Sequence, residues 1–173
     1  GVFRRQRQMC IRDRYIGGAL IAGSIVGYFA ATKVKMTSMP EMVAIFNGFG
    51  GIASLLVGSA EYVSGALDNP AFLGAIFVTV LIGGITFTGS IVAYGKLSEV
   101  ISGRPFLYKG QQFVNGLLVL SILLVGANML FIQDFISAEQ TLILLLVLAF
   151  LLGILFVIPI GGADMPVVIA LLN

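Results

Sequence analysis

Histidine is absent from this chain of 173 residues, cysteine occurs once, and only 10% of the side chains are charged. Each shortage closes off a kind of chemistry. With no histidine, with Cys10 as the lone thiol and without clustered carboxylates, the usual zinc and haem ligand sets and the Ser-His-Asp arrangement cannot be assembled. A single cysteine also forbids an intrachain disulfide, and it leaves the redox compartment open. Neither a Walker A loop nor a GxGxxG following a strand is present, so the stretch carries no recognisable nucleotide fold. Catalytic residues, a metal and a bound cofactor are therefore not expected within these residues. The net charge of +2 says little about partners, and no nucleic-acid partner is expected.

What the chain has in abundance is apolar length. Hydrophobic residues make up 58% of it and the mean hydropathy is +1.06, values that a soluble domain of this size would struggle to keep in solution. The runs 41–60, 71–95, 112–132 and 140–160 contain no charged side chain except Glu41. A bilayer core needs about 20 apolar residues per helix, and these four runs meet that length. The run 16–31 is slightly shorter. All five tyrosines, Tyr15, Tyr28, Tyr62, Tyr94 and Tyr108, lie at or just beyond run ends, where an amphipathic ring sits at headgroup level. The fold class is thus all-α integral membrane, a polytopic helix bundle of five transmembrane helices plus the start of a sixth. The spans fall at about 15–31, 41–60, 71–95, 112–132, 140–160 and 165–173. The last opens with Gly161-Gly162, Asp164 as N-cap and Pro166 in the first turn. From Val167 to Asn173 only about two turns remain, so the expectation is a piece of a larger machine.

Charge sets the topology. With sides assigned alternately, Lys33, Lys35, Lys96, Arg104 and Lys109 share one side, while the opposite loops hold Glu61, Asp68, Asp134 and Glu139. The positive-inside rule makes the basic side cytoplasmic, or the matrix in a mitochondrion. Gly1–Arg14 breaks that pattern. It carries half of the chain's ten Lys and Arg on the wrong side, and its string QMCIRDR resembles translated sequencing-adapter read-through. It is read first as a non-native extension, then as a native basic flank, and last as a signal peptide.

Two helical faces carry small and polar residues. Asn47, Gly51, Ser54 and Gly58 share one face of 41–60, and Thr79, Gly83, Thr86 and Ser90 share one of 71–95. Small residues let helices approach closely in lipid, so packing alone explains such stripes. Packing is also the reading for Gly23 and Gly27 with Ser24, and Ser121 with Asn128 offers a similar contact. Asn47 is less ordinary, since an amide some six residues into a run needs a partner or a water. A chain of Asn, Ser, Thr and water can pass protons. An autonomous proton pump normally needs a titratable group in the membrane, and no span holds a carboxylate or histidine in its interior. On the basic side, Ser38 and Glu41 fit a capping box around Pro40.

The strings KVKMTSMPEMVAIFNGFGGIASLLVG at 33–58, GGITFTGSIVAYGKL at 83–97 and GGADMPVVIALLN at 161–173 closely resemble the membrane domain of the proton-translocating NAD(P) transhydrogenase beta subunit. The resemblance covers 15–173, in the family's order and topology. It implies an enzyme that transfers hydride between NADH and NADP⁺ coupled to proton movement across the membrane, with NAD(H) and NADP(H) bound by soluble domains and none by this segment. On this resemblance 15–173 is a partial proton-conducting domain that lacks the subunit's first helices, the rest of its last two helices and its NADP(H) domain. The implied partners are the alpha subunit, that NADP(H) domain, a second assembled unit in a homodimer, and the lipid of a bacterial or mitochondrial inner membrane. Asn47 stands where many relatives have a histidine of the proton path; some relatives with asparagine there resemble it in drawing on a partner subunit's helix, and the resemblance implies that a helix outside this chain supplies the titratable group. Ser90 and Asn173 match further proton-path positions, and Asp164 matches an acidic loop residue coupled to the NADP(H) domain. A small-solute secondary transporter with its site between the same stripes, and a purely structural anchor, are the alternatives, although neither an internal repeat nor a mid-span Gly-Pro break favours transport.

Overall fold

The computed structural model describes residues 2–64, 69–132 and 137–173, with side chains described for all of these except 2–12 and 132. Asp68 and Asp134, two of the acidic residues assigned to one side, lie outside the described residues. The described chain is helical, without a strand. It runs through α1 (Val2–Lys33), a 3₁₀ turn at Met36–Ser38, α2 (Met39–Val63), α3 (Pro70–Leu97), α4 (Gln111–Ala127), α5 (Ala138–Val157), a second 3₁₀ turn at Gly162–Asp164, and α6 (Met165–Leu172). A π-helical turn at Asn128–Ile132 prolongs α4. Five segments are long and apolar enough to cross a membrane: Asp13–Lys33, Met36–Val63, Pro70–Leu97, Gln111–Phe131 and Ala138–Val157.

Two compact units divide the chain, Gly1–Met39 and Pro40–Asn173. In the first, α1 continues without a break from the basic segment into the apolar run. Gly23 and Gly27 stand one turn apart on this helix.

The second unit is a bundle organised around α3. Local chemistry starts its helices: Asn69 Oδ1 accepts from Ala71 N at 2.9 Å with Pro70 opening α3, and Ser137 Oγ accepts from Gln140 N at the start of α5. Ahead of α4, Gly110 adopts φ 86°, a left-handed conformation that costs glycine little. One apolar cluster joins Leu73, Ile76 and Val80 of α3 to Tyr62, Ile122, Val125, Met129 and Leu145. A second joins Val92 and Ala93 to Ala44, Val157, Met165, Val168 and Ile169. Outer faces are apolar as well, with Phe49, Leu56, Val57, Ile82, Phe113 and Leu120 exposed, as lipid-facing helices require.

Several local expectations are corrected. Tyr62, at the end of α2, is buried in the first cluster rather than exposed on the outer face. Ser38 closes a 3₁₀ turn through its backbone, its N–H donating to Lys35 O at 2.9 Å, and no hydrogen bond of a Ser38–Glu41 capping box forms among the described residues. Ser121 donates to Leu117 O within its own helix, while Asn128 turns to Thr141 of α5. The largest correction concerns Lys96. It is not a loop anchor but the penultimate residue of α3, 4% exposed, because the helix runs past the end of the apolar run.

Candidate functional site

The two small-polar stripes face each other. At Gly51 an added Cβ would fall 2.9 Å from both Gly83 O and Phe87 N, and at Gly83 it would fall 2.7 Å from Gly51 O. Only residues without a side chain permit that backbone approach. One end of the contact packs Gly58 against Val80 and Thr79, and the other packs Gly48 against Ser90 Cβ at 3.3 Å. α2 and α3 therefore run antiparallel with their stripes in register.

This register brings Asn47 and Ser90 together. Asn47 Nδ2 donates to Ser90 Oγ at 3.0 Å, and the two residues are 9% and 1% exposed. A buried amide satisfied by a side chain of the facing helix is an interhelical tie, contributing about 0.6–2 kcal/mol in membrane proteins. Ser90 uses a lone pair here and keeps its O–H for another acceptor. Rotation of the amide and hydroxyl reverses the bond's sense over the same distance, which a relay requires.

Beside the pair opens a cleft of about 660 Å³, lined among others by Asn47, Gly51, Ser54, Thr79, Gly83, Thr86 and Asn173. The stripe hydroxyls differ in what they do. Ser54 donates to Gly50 O and Thr79 to Ala75 O, each one turn back in its own helix, whereas Thr86 donates to Leu172 O of α6 at 3.2 Å. Thr86 thus brings the end of α6, and with it Asn173, to the α2–α3 seam. Gly58 packs at the seam outside the cleft lining.

Asp164 lies elsewhere. It is exposed, its backbone N–H closes the 3₁₀ turn onto Gly161 O at 3.1 Å, and its carboxylate makes no capping hydrogen bond to α6. The N-cap position is as expected, but its φ of −93° and ψ of −1° are not the extended backbone from which a side chain caps. The turn is fastened through its main chain instead, Gly162 N donating to Gly103 O at 2.8 Å. The link between α5 and α6 and the loop after α3, both placed on the basic side by charge, are therefore in contact.

Three polar contacts escaped sequence reasoning. Lys96 Nζ donates to Ile158 O, at the C-cap of α5, and, at 2.7 Å, to Ile160 O in the turn that follows. Thr88 Oγ1 lies 3.1 Å from both Gly84 O and Phe150 O, crossing from α3 to α5. Thr141 Oγ1 lies 3.4 Å from Asn128 Oδ1, and Asn128 Nδ2 is buried without a partner. For Lys96 a signal existed, since a lysine directly after an unbroken run of 25 apolar or neutral residues is a candidate for helix continuation. Thr88 lies one helical face away from the stripe that attracted attention.

Among the described residues no cluster of His, Cys, Asp and Glu could hold a metal ion. The chemistry this geometry can perform is hydrogen-bond exchange along neutral amides and hydroxyls beside a space wide enough for water. Comparison with known proteins gives that chemistry a context. The family model described as NAD(P) transhydrogenase beta subunit matches residues 3–173. A protein named NAD(P) transhydrogenase subunit beta, from Rhodospirillum rubrum, is 40% identical over 170 residues, covering 90% of this chain and 34% of that protein. The same subunit from a designated strain of that species gives the same figures. The chain spans about a third of the length of the curated relatives it matches. With the helical bundle, the five apolar spans and a match over nearly its whole length, this chain belongs to the NAD(P) transhydrogenase beta subunit family.

Proposed function

We propose that this chain is part of the membrane domain of a proton-translocating NAD(P)⁺ transhydrogenase, in which proton movement across the membrane is coupled to hydride transfer between NADH and NADP⁺. Both nucleotides bind on other domains of the assembled enzyme. The alpha subunit, the NADP(H)-binding domain of the same subunit and a second assembled unit complete it, in a bacterial inner membrane or its mitochondrial counterpart.

One observation carries this reading: the buried Asn47–Ser90 hydrogen bond at a cleft also lined by Thr86 and Asn173. Water in that cleft would find amide and hydroxyl partners on α2, on α3 and at the end of α6. Such a chain passes a proton without holding one, because none of these groups titrates near neutral pH. Histidine is absent from this chain, and the proton-binding group is assigned to a helix outside it. Asp164, at the turn that opens α6, is the residue through which the state of the path reaches the NADP(H) domain. Packing accounts for Gly51, Gly58 and Gly83, and Ser54 and Thr79 border the cleft with their hydroxyls satisfied locally.

The test is substitution in the full-length, reconstituted enzyme. Asn47→Leu and Asn173→Leu should each abolish or uncouple proton-linked transhydrogenation, read as NADPH formation with and without an imposed proton gradient. Coupled rates at the wild-type level in both variants would take the two residues off the path.

A further inference from the structure

Lys96 has no part in the cleft, yet it is the ionisable side chain most thoroughly withdrawn from solvent among those described, at 4% exposure. Removing an ammonium from water is costly unless hydrogen bonds and opposite charge compensate. Here the compensation comes from a neighbouring helix. The C-terminal end of α5 carries the negative end of its dipole, and there Lys96 Nζ donates to the carbonyl of Ile158, the C-cap of α5, which also accepts from Phe106 N, and to that of Ile160 in the turn beyond. A residue of α3 therefore caps α5 in trans.

The cap also fixes the start of the next segment. Gly161 and the Gly162–Asp164 turn come directly after Ile160, and α6 starts at Met165, which is fully buried. The same helix α3 holds α6 again at its far end, where Thr86 donates to Leu172 O. Between these two attachments sits Ser90, the partner of Asn47. Lys96 lies six residues beyond Ser90, about 9 Å along a rigid helix at roughly 1.5 Å per residue.

We propose that Lys96 is a positioning residue that fastens the turn bearing Asp164 to α3, so that a rearrangement at the Asn47–Ser90 pair is carried along α3 and displaces Asp164. This rests on the transhydrogenase reading of the chain. Lys96 touches neither substrate nor proton path; it sets where the acidic turn stands relative to the helix that senses the path.

The experiment uses the full-length enzyme with its partner subunit in proteoliposomes, carrying Lys96→Met, Lys96→Gln or Lys96→Arg. The readout is the ratio of transhydrogenation rate with an imposed proton gradient to the rate after an uncoupler collapses it. Loss of assembled enzyme scales both rates together and leaves the ratio unchanged. Lys96→Met, which keeps the stem and removes the donors, should lower the ratio about tenfold, within the usual range of coupling between sites. Its gradient-free rate per assembled enzyme should stay within about twofold of wild type. Lys96→Arg should restore at least half of the ratio. Should the Met variant fail to assemble, Lys96→Gln is read in its place against the same expectation. A wild-type ratio in either neutral variant overturns the proposal, as does failure of both to assemble while Lys96→Arg assembles with the wild-type ratio. A wild-type enzyme with no gradient response at all would instead overturn the underlying functional reading.

Discussion

α3 presents two faces built from the same residue types and put to different use. Toward α2 it offers Gly83, Thr86 and Ser90, and toward α5 it offers Gly84, Thr88 and Gly89. Both faces bring backbones close: an added Cβ at Gly83 would sit 2.7 Å from Gly51 O, and one at Gly84 would sit 2.8 Å from Ala149 Cβ. They differ in where the polar atoms end. On the α5 side Thr88 reaches the main-chain carbonyl of Phe150, a fixed acceptor in a packed seam. On the α2 side Ser90 meets the side chain of Asn47, a group that can rotate, beside a cleft. A Gly/Thr/Ser pattern thus records only that helices come close. Whether the seam is a static joint or an adjustable one depends on which acceptor lies opposite.

The largest effects should come from forcing the seams apart. Gly83→Val places a branched side chain against Gly51 O and Leu55, and Gly153→Val places one against Thr88 and Ile85. Each should lower stability by about 1–3 kcal/mol or more by overpacking, read as loss of assembled enzyme and a lower unfolding temperature in detergent. Gly116→Ala in α4, where an added Cβ meets nothing within 4 Å, should not lower that temperature. Equal losses at Gly116 and Gly83 would mean that the close approach of α2 and α3 does not govern stability.

The next largest effect separates the faces by function. Thr88→Val removes the tie to Phe150 O and should cost about 0.5–2 kcal/mol of stability while leaving gradient-coupled activity per folded enzyme intact. Thr86→Val removes the bond that brings Leu172 O, and so Asn173, to the cleft. It should reduce coupled activity several-fold at nearly unchanged stability. The opposite assignment, with Thr88 controlling activity and Thr86 only stability, would reverse the comparison.

The same contrast explains how much of this was legible in the sequence. Helix number and approximate spans come from uninterrupted apolar length, which no tertiary contact overrides. The stripes of Asn47 and Ser90 were visible because helical periodicity places residues three and four apart on one face. Their mutual contact needed only that consecutive helices pack antiparallel. Periodicity is silent on contacts between non-consecutive elements: Thr88 to Phe150 and Lys96 to Ile160 join α3 to α5 and to the turn after it, with α4 between them in the chain. Lys96 was hidden for a further reason. Charge counting treats every lysine at a span end as a solvated anchor, and only the position of the α5 carbonyls shows that this one is inside.

The smallest expected effect sharpens the account of that lysine. Immediately after α3, Glu99 adopts φ 59°, the left-handed conformation that a side chain disfavours and glycine accepts. This reverses the chain so that Ile101 N donates to Gly95 O at 2.8 Å and the Ile101 side chain covers Gly95, next to Lys96. Backbone alone predicts that Glu99→Gly relieves strain and raises stability by up to about 1 kcal/mol, a shift of a few degrees at most in the unfolding temperature. Activity should not change if the turn only shields Lys96 from water. A variant that is more stable yet has a lower gradient response would show that the Glu99 carboxylate itself acts, and would move part of the control from the α5 end of Lys96 to its solvent side. A less stable variant would mean that the glutamate side chain holds the turn by more than its backbone, and that the shielding of Lys96 depends on it.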